Sequence, residues 1–331
     1  MSRIVCVAGA SGLVGSNIVR ECLARGYTVR GSMRNSSDPA KAPYLLALPG
    51  AAERLTLFDA DMADPGSFDG SMQGCDAVFI ASLIPTYFGP SGVKATDMED
   101  EQGYAEIIMP TVNGCMNILG SAAKAGVKTA LICSSTSSTN PIPPVEYKNE
   151  VDHWSNPDQQ CAAKKYTSAT KAVMEKAAMA FCVENSIRLS IFLPTLMLGP
   201  MVMPAHMGEG FMAVLARMVK GEKGRHDKVP NDSTSMAHIH DVANLFLAAF
   251  ENPEAEGRYF GMKESWPWKD IYAELERLVP NMAKPEPLSE DAKPATTFDF
   301  TRRDSLGVQM RTVPEVLAAA VAFAKNPTYG V

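Results

Sequence analysis

The sequence has no long hydrophobic runs and no strongly basic segments. Its longest apolar stretches fall far short of the roughly 18 residues that a membrane span needs, and the chain begins Ser2-Arg3-Ile4-Val5 without a signal-peptide pattern. Lysine and arginine together number 31 against 37 aspartates and glutamates, which gives a net charge of −6. We therefore expect a cytoplasmic protein that binds neither membranes nor nucleic acid.

The cysteines are not spaced for a metal site or a disulfide framework. No two of the seven lie within three residues of each other; they are Cys6, Cys22, Cys75, Cys115, Cys133, Cys161 and Cys182. Several stand in strand-like apolar segments, which favours buried, reduced thiols over zinc ligands. We expect no metal.

The alternation of short β-rich segments with helical periodicity indicates βαβ units and a parallel sheet. The 331 residues, with 46% hydrophobic and 21% charged, are enough chain for a sizeable core. Strands are predicted at Ile4–Ala8, Thr28–Met33, Arg54–Phe58, Ala77–Ala81, Thr129–Cys133 and Arg188–Leu193. Helices are predicted around Leu13–Ala24, Ala105–Ala125, Thr170–Val183, Asp241–Phe250 and Pro314–Ala324. The fold class is therefore α/β, a doubly wound parallel sheet.

A glycine-rich segment follows the first strand and opens the first helix. In the run from Val7 to Gly15, Gly9 permits a tight turn, Gly12 lets backbone N–H groups approach a pyrophosphate, and Gly15 lets the helix pack close to the strand. A glycine triplet alone is a weak signal, but this position in a βαβ chain predicts a dinucleotide site. We expect the loop residues to contact the cofactor: Gly9, Ser11, Gly12, Leu13, Val14 and Gly15.

The residue after the second strand predicts which dinucleotide binds. Enzymes that prefer NAD usually carry an acidic residue there, whereas this strand is followed by Arg34. A guanidinium pairs with a 2′-phosphate through charge-assisted hydrogen bonds, so we expect NADPH over NADH, with Lys41 as a second cation. The alternative is that Arg34 is a solvated strand-end charge. Arg30, earlier in the same strand, is expected on another part of the surface.

These observations predict a Rossmann-type dinucleotide domain over residues 1–195 and a smaller substrate-binding lobe over 196–331. The chain after Pro194 becomes rich in methionine and loops, which marks the change. Residues 236–260 are expected to return to the Rossmann core.

Taken together, the motifs resemble those of the extended short-chain dehydrogenase/reductases, within the NAD-dependent epimerase/dehydratase superfamily. The chain is most similar to the dihydroflavonol 4-reductase-like branch, which includes cinnamoyl-CoA reductases and microbial ketone and aldehyde reductases. The resemblance runs from Arg3 to about Phe260. Beyond the glycine loop it rests on Asp61-Met62, Val78-Phe79-Ile80-Ala81-Ser82, Cys133-Ser134-Ser135, Leu193-Pro194-Thr195 and the segment from Glu251 to Tyr259.

The resemblance assigns further cofactor contacts. It implies that Asp61 and Met62 border the adenine, that Ala81 and Ser82 border the adjoining ribose and phosphate, and that Pro194 and Thr195 border the nicotinamide. Ser134 belongs to the same cofactor-binding set. One departure is Ala8, where the family commonly has threonine before the first motif glycine.

The resemblance also implies a Ser, Tyr and Lys set for carbonyl reduction. Ser135 matches the serine that hydrogen-bonds the substrate oxygen, and Lys171 matches the lysine that holds the nicotinamide ribose and lowers the tyrosine pKa. The tyrosine departs from the pattern: the family places it four residues before the lysine, where this chain has Thr167 and carries Tyr166 one residue earlier. Five steps of an α-helix leave Tyr166 about 140° from Lys171.

Two hypotheses account for this offset. A π-bulge between Tyr166 and Lys171 would bring both onto one helix face, and such bulges occur at functional sites. Alternatively, Tyr166 precedes the active face, and the site uses Thr167 or water. We favour the bulge here and take Ser135, Tyr166 and Lys171 as the catalytic residues.

Four residues are candidates for the substrate pocket: Phe88, Asn140, Met201 and Met207. Methionine is apolar and adaptable, which suits a bulky apolar or aromatic compound, although each methionine can equally fill the core of the smaller lobe. Asn140 precedes Pro141 and can equally be a turn residue. His238 and His240 form a pair without further ligand types nearby, so we favour a structural role over a metal site.

We therefore expect an NADPH-dependent carbonyl reductase acting on a bulky apolar or aromatic ketone or aldehyde. The aromatic motif that cinnamoyl-CoA reductases carry around their tyrosine is absent from Lys165 to Lys171. One alternative is a catalytically weak NADPH-binding sensor or interaction protein, motivated by Thr167. Another is an NAD-linked hydroxysteroid dehydrogenase or epimerase relative, which Arg34 disfavours. The expected partner is a small molecule, and a homodimer is possible within this family.

Overall fold

A computed structural model of the chain describes residues 3–81, 83, 89–208 and 210–330. Its strands, in chain order, are β1 (Ile4–Ala8), β2 (Thr28–Met33), β3 (Leu55–Asp59), β4 (Ala77–Ile80), β5 (Thr129–Cys133), β6 (Tyr147–Lys148), β7 (Arg188–Leu193), β8 (Leu196–Leu198), β9 (Ser233–His238), β10 (Gly257–Phe260), β11 (Ser265–Pro267) and β12 (Thr297–Phe298).

Its α-helices are α1 (Leu13–Ala24), α2 (Ala42–Leu46), α3 (Ala51–Arg54), α4 (Asp69–Met72), α5 (Asp100–Gly103), α6 (Met109–Lys124), α7 (Pro157–Ala162), α8 (Tyr166–Glu184), α9 (Gly210–Val219), α10 (Ile239–Glu251), α11 (Trp268–Leu278), α12 (Thr301–Asp304) and α13 (Val313–Lys325). Short 3₁₀ turns occur at Ala95–Asp97, Thr136–Thr139 and Pro204–Gly208.

Seven parallel strands form the central sheet in the order β10-β7-β5-β4-β1-β2-β3. The six predicted strands are all present, each with its ends within one residue of the prediction. Sequence reasoning missed β10 as a strand. The helix pairs α1 with α10 and α6 with α8 pack over the sheet. The predicted α/β class with a doubly wound parallel sheet is confirmed.

Two hydrophobic clusters fill the molecule. The larger one surrounds the central sheet and includes Phe79, Phe192 and Phe246. The smaller one joins α9, α11 and α13 to a three-stranded sheet of order β11-β9-β8. All seven cysteines are free and buried, and their burial agrees with the prediction. Within the described residues, none of the helices has the length and apolarity to cross a membrane.

The helix predicted around Ala105–Ala125 is α-helical only from Met109 onward. A π-helical turn at Tyr104–Ile108 precedes α6. Pro110 lies in the first turn of α6 and has no N–H to donate to the preceding turn, which favours a wider turn at this point.

A buried ion pair joins the edge strand β10 to α8. The Nε atom of Arg258 lies 2.8 Å from Oε2 of Glu175, and the two side chains are 3% and 0% exposed. Ser134 donates a hydrogen bond to the same carboxylate, and Arg258 donates one to Oγ of Ser138 at 2.9 Å. The guanidinium carbon lies 3.6 Å from the centre of a Trp154 ring. One charge pair therefore connects α8, β10 and the segment that follows β5.

We expect Glu175→Gln to lower the free energy of unfolding by about 3 kcal/mol, because it leaves the buried guanidinium of Arg258 without its counter-charge. Chemical denaturation measures the change. The matched control is Glu276→Gln, which removes a pair with Lys284 whose side chains are 49% and 57% exposed and should cost at most about 1 kcal/mol. Equal losses in the two variants would contradict the prediction.

Candidate active site

The glycine loop between β1 and α1 forms a cradle that fits a dinucleotide. Gly9 has a φ of +83°, a conformation that L side chains rarely adopt. The backbone N–H groups of Gly9 and Ala10 both donate to the carbonyl of Ser32 at 2.9 Å, which fixes the loop to the end of β2. Gly12 is the N-cap of α1 with extended backbone and no side-chain cap, so the helix N-terminus is open to an anion.

Gly15 is the tightest point of this cradle. A Cβ atom there would overlap the carbonyl oxygen of Gly9 and lie 3.1 Å from Cα of Ala10. The helix can therefore approach the loop only because residue 15 has no side chain. The spacing of the glycines and the shape of the loop agree with the predicted pyrophosphate cradle.

Gly15→Ala should weaken dinucleotide binding at least tenfold and lower thermal stability, because the loop must move away from α1 to admit the methyl group. Isothermal titration with NADPH and thermal unfolding measure the two effects. Gly120→Ala is the control: Gly120 lies within α6, and a Cβ there meets no atom within 4 Å. That change should leave binding intact and raise stability slightly, since alanine favours a helix by about 0.5–1 kcal/mol over glycine. Unchanged binding in Gly15→Ala would contradict the cradle.

The predicted cofactor residues lie after the carboxyl ends of parallel strands, where ligands of such sheets bind. Asp61 and Met62 follow β3, Ala81 follows β4, Ser134 follows β5, and Pro194 and Thr195 follow β7. Several are fixed by hydrogen bonds: Asn117 Nδ2 to the Met62 carbonyl at 2.9 Å, Ala81 N to the Ala8 carbonyl at 3.0 Å, and Thr195 Oγ1 to the Ser235 carbonyl at 3.0 Å. Ser82 and Phe88, also predicted site residues, lie outside the described residues.

Arg34 directly follows β2 and is exposed. Within the described parts of the chain, its guanidinium makes no hydrogen bond or ion pair. Lys41 is half-buried and lies 4.0 Å from Asp38 Oδ2. Arg30 donates to the backbone carbonyl of Gln73, away from the strand end, as predicted. Arg34 is therefore a cation available beside the cradle.

His206 is a contact with the cradle that sequence reasoning missed. Its Nε2 atom lies 3.1 Å from the carbonyl oxygen of Ser11, 195 residues away in sequence. The side chain is 5% exposed and belongs to the 3₁₀ turn Pro204–Gly208. No local motif marks this histidine, because the contact forms only when the chain after β8 folds back over the loop.

Ser135 and Lys171 lie on neighbouring elements. Ser135 is half-buried after β5, and its Oγ accepts a hydrogen bond from the Ser137 N–H at 3.1 Å. That bond uses a lone pair and leaves the hydroxyl proton free to donate. Lys171 is buried in α8, which packs against the 3₁₀ turn following Ser135. Its ammonium donates to the carbonyl of Leu83, and burial lowers its pKa.

The predicted π-bulge between Tyr166 and Lys171 is wrong. The helix α8 is α-helical from Tyr166 onward, and Thr170 Oγ1 donates to the Tyr166 carbonyl at 2.7 Å across one normal turn. The turn is a regular α-helical turn without an extra residue. Tyr166 therefore does not lie on the same helix face as Lys171. Thr167, four residues before Lys171, shares that face.

The side chain of Tyr166 lies against the segment around Met98 and Asp100. Its hydroxyl lies 3.4 Å from both the Met98 carbonyl and Oδ1 of Asp100, and the side chain is 2% exposed. Its ring covers Gly103, where a Cβ would overlap it. The structure therefore does not bring Tyr166 together with Lys171.

The described candidate substrate residues range from buried to exposed. Met201 is 2% exposed and packs in the smaller hydrophobic cluster, which supports its alternative role as a core residue. Met207 is half-buried at the edge of that cluster. Asn140 is exposed, and its Oδ1 accepts a hydrogen bond from Lys148 Nζ at 2.6 Å.

His238 and His240 lie at the start of α10. The Nδ1 atom of His238 accepts from the His240 N–H at 3.3 Å and contacts Nη1 of Arg311 at 3.1 Å. Burial, assisted by Arg311 and Arg20, lowers the pKa of His238 to about 4, and burial likewise lowers the pKa of His240 to about 3. Across the described ranges, no cluster of three or more His, Cys, Asp or Glu side chains could hold a metal.

We expect the free energy of unfolding to fall as the pH drops from 7 to 5. Unfolded histidines take up protons near pH 6.5, whereas these two stay neutral in the folded chain until about pH 4 and 3, so the stability they contribute is lost on acidification. Denaturation at several pH values measures the slope. His240→Asn should reduce it, because the variant has no imidazole at this buried position. Equal slopes in wild type and His240→Asn would contradict this assignment.

Residues 5–260 match the family described as NAD dependent epimerase/dehydratase family. A cinnamoyl-CoA reductase, CAD2 of Medicago truncatula, is 30% identical over 320 residues, covering 95% of this chain and 92% of the relative. A bifunctional dihydroflavonol 4-reductase/flavanone 4-reductase of Malus domestica is 35% identical over 265 residues, covering 78% and 71%.

Among solved structures, the yeast methylglyoxal/isovaleraldehyde reductase Gre2, complexed with NADPH, superimposes with a TM-score of 0.77. It is 21% identical and covers 96% of this chain and 97% of its own, so the likeness shows a common fold. With the family match and the plant relatives, the comparisons confirm the predicted branch and its oxidoreductase class. The chain belongs to the NAD dependent epimerase/dehydratase family, in the branch of the dihydroflavonol 4-reductases.

Proposed function

We propose that this protein is an NADPH-dependent carbonyl reductase that acts on a ketone or aldehyde with a bulky apolar or aromatic body. One observation carries the proposal: the dinucleotide cradle follows β1 and Ser135 follows β5, two parallel strands of one sheet with β4 between them. Lys171 lies in α8, which packs against the turn that follows Ser135. This arrangement supports a site in which a cofactor bound at the cradle reaches a hydroxyl donor and a buried ammonium.

Each of these residues has a defined task. The glycine loop and the N-terminus of α1 hold the pyrophosphate, and Arg34 with Lys41 pairs the 2′-phosphate. NADPH supplies the hydride that reduces the carbonyl carbon. Ser135 donates its free hydroxyl proton as a hydrogen bond to the substrate oxygen and so polarises the carbonyl. Lys171 holds a ribose hydroxyl with one of the two N–H groups that the Leu83 carbonyl does not use.

The apolar chain after β8 supports the proposed substrate class. Met207 is half-buried there, within the 3₁₀ turn that also places His206 over the cradle. Its thioether packs against the smaller hydrophobic cluster and offers an adaptable apolar contact. The plant relatives are named for cinnamoyl-CoA and dihydroflavonol, both aromatic compounds. A cytoplasmic location and a homodimer stay predictions.

The test is the rate of NADPH and NADH consumption with aryl ketones, keto esters, aldehydes and a dihydroflavonol. We expect turnover with at least one aromatic carbonyl and faster turnover with NADPH. Binding of NADPH without turnover of any of them would favour the sensor or interaction protein instead. Tighter binding of NADH than of NADPH would favour an NAD-linked dehydrogenase or epimerase relative.

Arg34→Ala should weaken NADPH binding about 10- to 100-fold, because hydrogen bonds to a charged group contribute about 1.5–3 kcal/mol. NADH, which lacks the 2′-phosphate, should bind as in the wild type. Fluorescence titration with both nucleotides measures the preference. Arg30→Ala is the matched control, since Arg30 lies in β2, the strand that Arg34 follows, but contacts the Gln73 carbonyl. If Arg34→Ala keeps the wild-type preference, Arg34 is a solvated strand-end charge.

A further inference from the structure

The regular geometry of α8 raises the question of which group protonates the substrate oxygen. A hydroxyl that serves this purpose must face the same space as Lys171 and Ser135. In an α-helix, side chains four residues apart share a face, and neighbouring residues differ by about 100°. Thr167 satisfies this condition and Tyr166 does not.

Tyr166 is part of a buried contact on another side of the helix. Nζ of Lys164 donates to the Met98 carbonyl and to Oδ1 of Asp100, both at 2.7 Å, and the tyrosine hydroxyl lies near the same two acceptors. Lys164 adopts a left-handed φ of 56°, which is rare for a residue with a side chain. Tyr166 and Lys164 thus fasten the segment 98–103 to the start of α8, and burial raises the pKa of the tyrosine.

Thr167, unlike Tyr166, is neither fully buried nor hydrogen-bonded through its side chain among the described residues. Its side chain is only half-buried, and its hydroxyl has no hydrogen-bond partner among the residues that the structure describes. A threonine hydroxyl can donate one proton and accept another at the same time. The residue one turn later is Lys171, whose ammonium has three donors and uses one on the Leu83 carbonyl.

We propose that Thr167 donates its hydroxyl proton to the substrate oxygen and that Lys171 supplies a new proton to Thr167. This inference rests on the proposed carbonyl reductase function. As the carbonyl carbon gains the hydride, the π electron pair of the C=O bond moves onto the oxygen. That oxygen takes the proton of the Thr167 hydroxyl, and the Thr167 oxygen takes one from Nζ of Lys171. The neutral amine then regains a proton from solvent, so the net reaction consumes one carbonyl, one NADPH and one proton.

The surroundings of Lys171 support its part as proton source. Burial is the main cause that lowers its pKa, so its ammonium releases a proton more easily than an exposed lysine does. The titratable groups facing it are Cys133 of β5, Cys115 of α6 and Glu175 of its own helix. Burial raises the pKa of both thiols, and Glu175 is paired with Arg258.

The experiment compares Thr167→Val, Thr167→Ser and Tyr166→Phe with the wild type. Thr167→Val keeps the shape of the side chain but removes the hydroxyl, so kcat should fall about 10²- to 10⁴-fold, the usual contribution of a positioned acid. KM and the Kd for NADPH should change little. Thr167→Ser restores the hydroxyl and should stay within about threefold of the wild-type kcat. Tyr166→Phe should also stay within about threefold, because its hydroxyl is not in the proton path.

The pH profile supplies a second readout. The relay predicts that kcat falls as the pH rises through the lowered pKa of Lys171, because the ammonium is then lost. Tyr166→Phe should keep this alkaline limb. If the limb disappears in Tyr166→Phe, or if kcat collapses there while Thr167→Val stays active, tyrosine is the donor and the relay is overturned.

Thermal unfolding gives a readout that is independent of turnover. Tyr166→Phe and Gly103→Ala should both lower the unfolding midpoint, because they disturb the contact between segment 98–103 and α8, while Thr167→Val should leave it unchanged. A Tyr166→Phe midpoint equal to wild type contradicts the fastening role. Wild-type protein that binds NADPH but reduces no carbonyl overturns the proposed function and the relay together. Turnover that survives Thr167→Val overturns the relay alone.

Discussion

The buried pair of Glu175 and Arg258 is the constraint on which the geometry of the candidate site depends. Burial favours the neutral form of Glu175 and so raises its pKa, against the opposing effects of Arg258, Ser134 and Ser138. Taking two charges out of water is costly unless hydrogen bonds and the partner charge compensate. Here the compensating groups come from segments distant in sequence, so the pair is satisfied only when those segments are in place.

Two of these partners lie next to the proposed catalytic residues Ser135 and Lys171. Ser134 precedes Ser135, and Glu175 lies one helical turn after Lys171. Holding Ser134 against Glu175 therefore sets β5 relative to α8, and with it the separation of the serine hydroxyl from the lysine ammonium. The cradle at the end of β1 belongs to the same rigid sheet. Strand pairing therefore fixes the glycine loop relative to β5, and the charge pair fixes α8, which carries the proposed catalytic residue Lys171.

Sequence patterns predicted the features that are local. The β-rich segments and the glycine spacing depend on neighbouring residues, and the six strands and the shape of the loop at Gly9 and Gly15 followed from them. Features set by tertiary contacts were not predictable in this way. The π-turn formed before Pro110 and not in α8, Met201 became a core residue, and His206 reached Ser11 across 195 residues. Spacing alone does not say which turn of a helix widens, because that depends on how both of its faces pack.

A tyrosine at position 167 would both donate the proton and be its source. With the tyrosine shifted by one residue, Thr167 donates the proton and Lys171 is its source. A phenol can give up a proton itself when a neighbouring ammonium lowers its pKa, whereas a threonine hydroxyl is far less acidic and must receive a proton as it gives one away. A threonine in this position therefore depends more strongly on Lys171 than a tyrosine would. The burial of Lys171, with a neutral carbonyl as its hydrogen-bond partner and its neighbouring carboxylate engaged by Arg258, is the environment that such a donor requires.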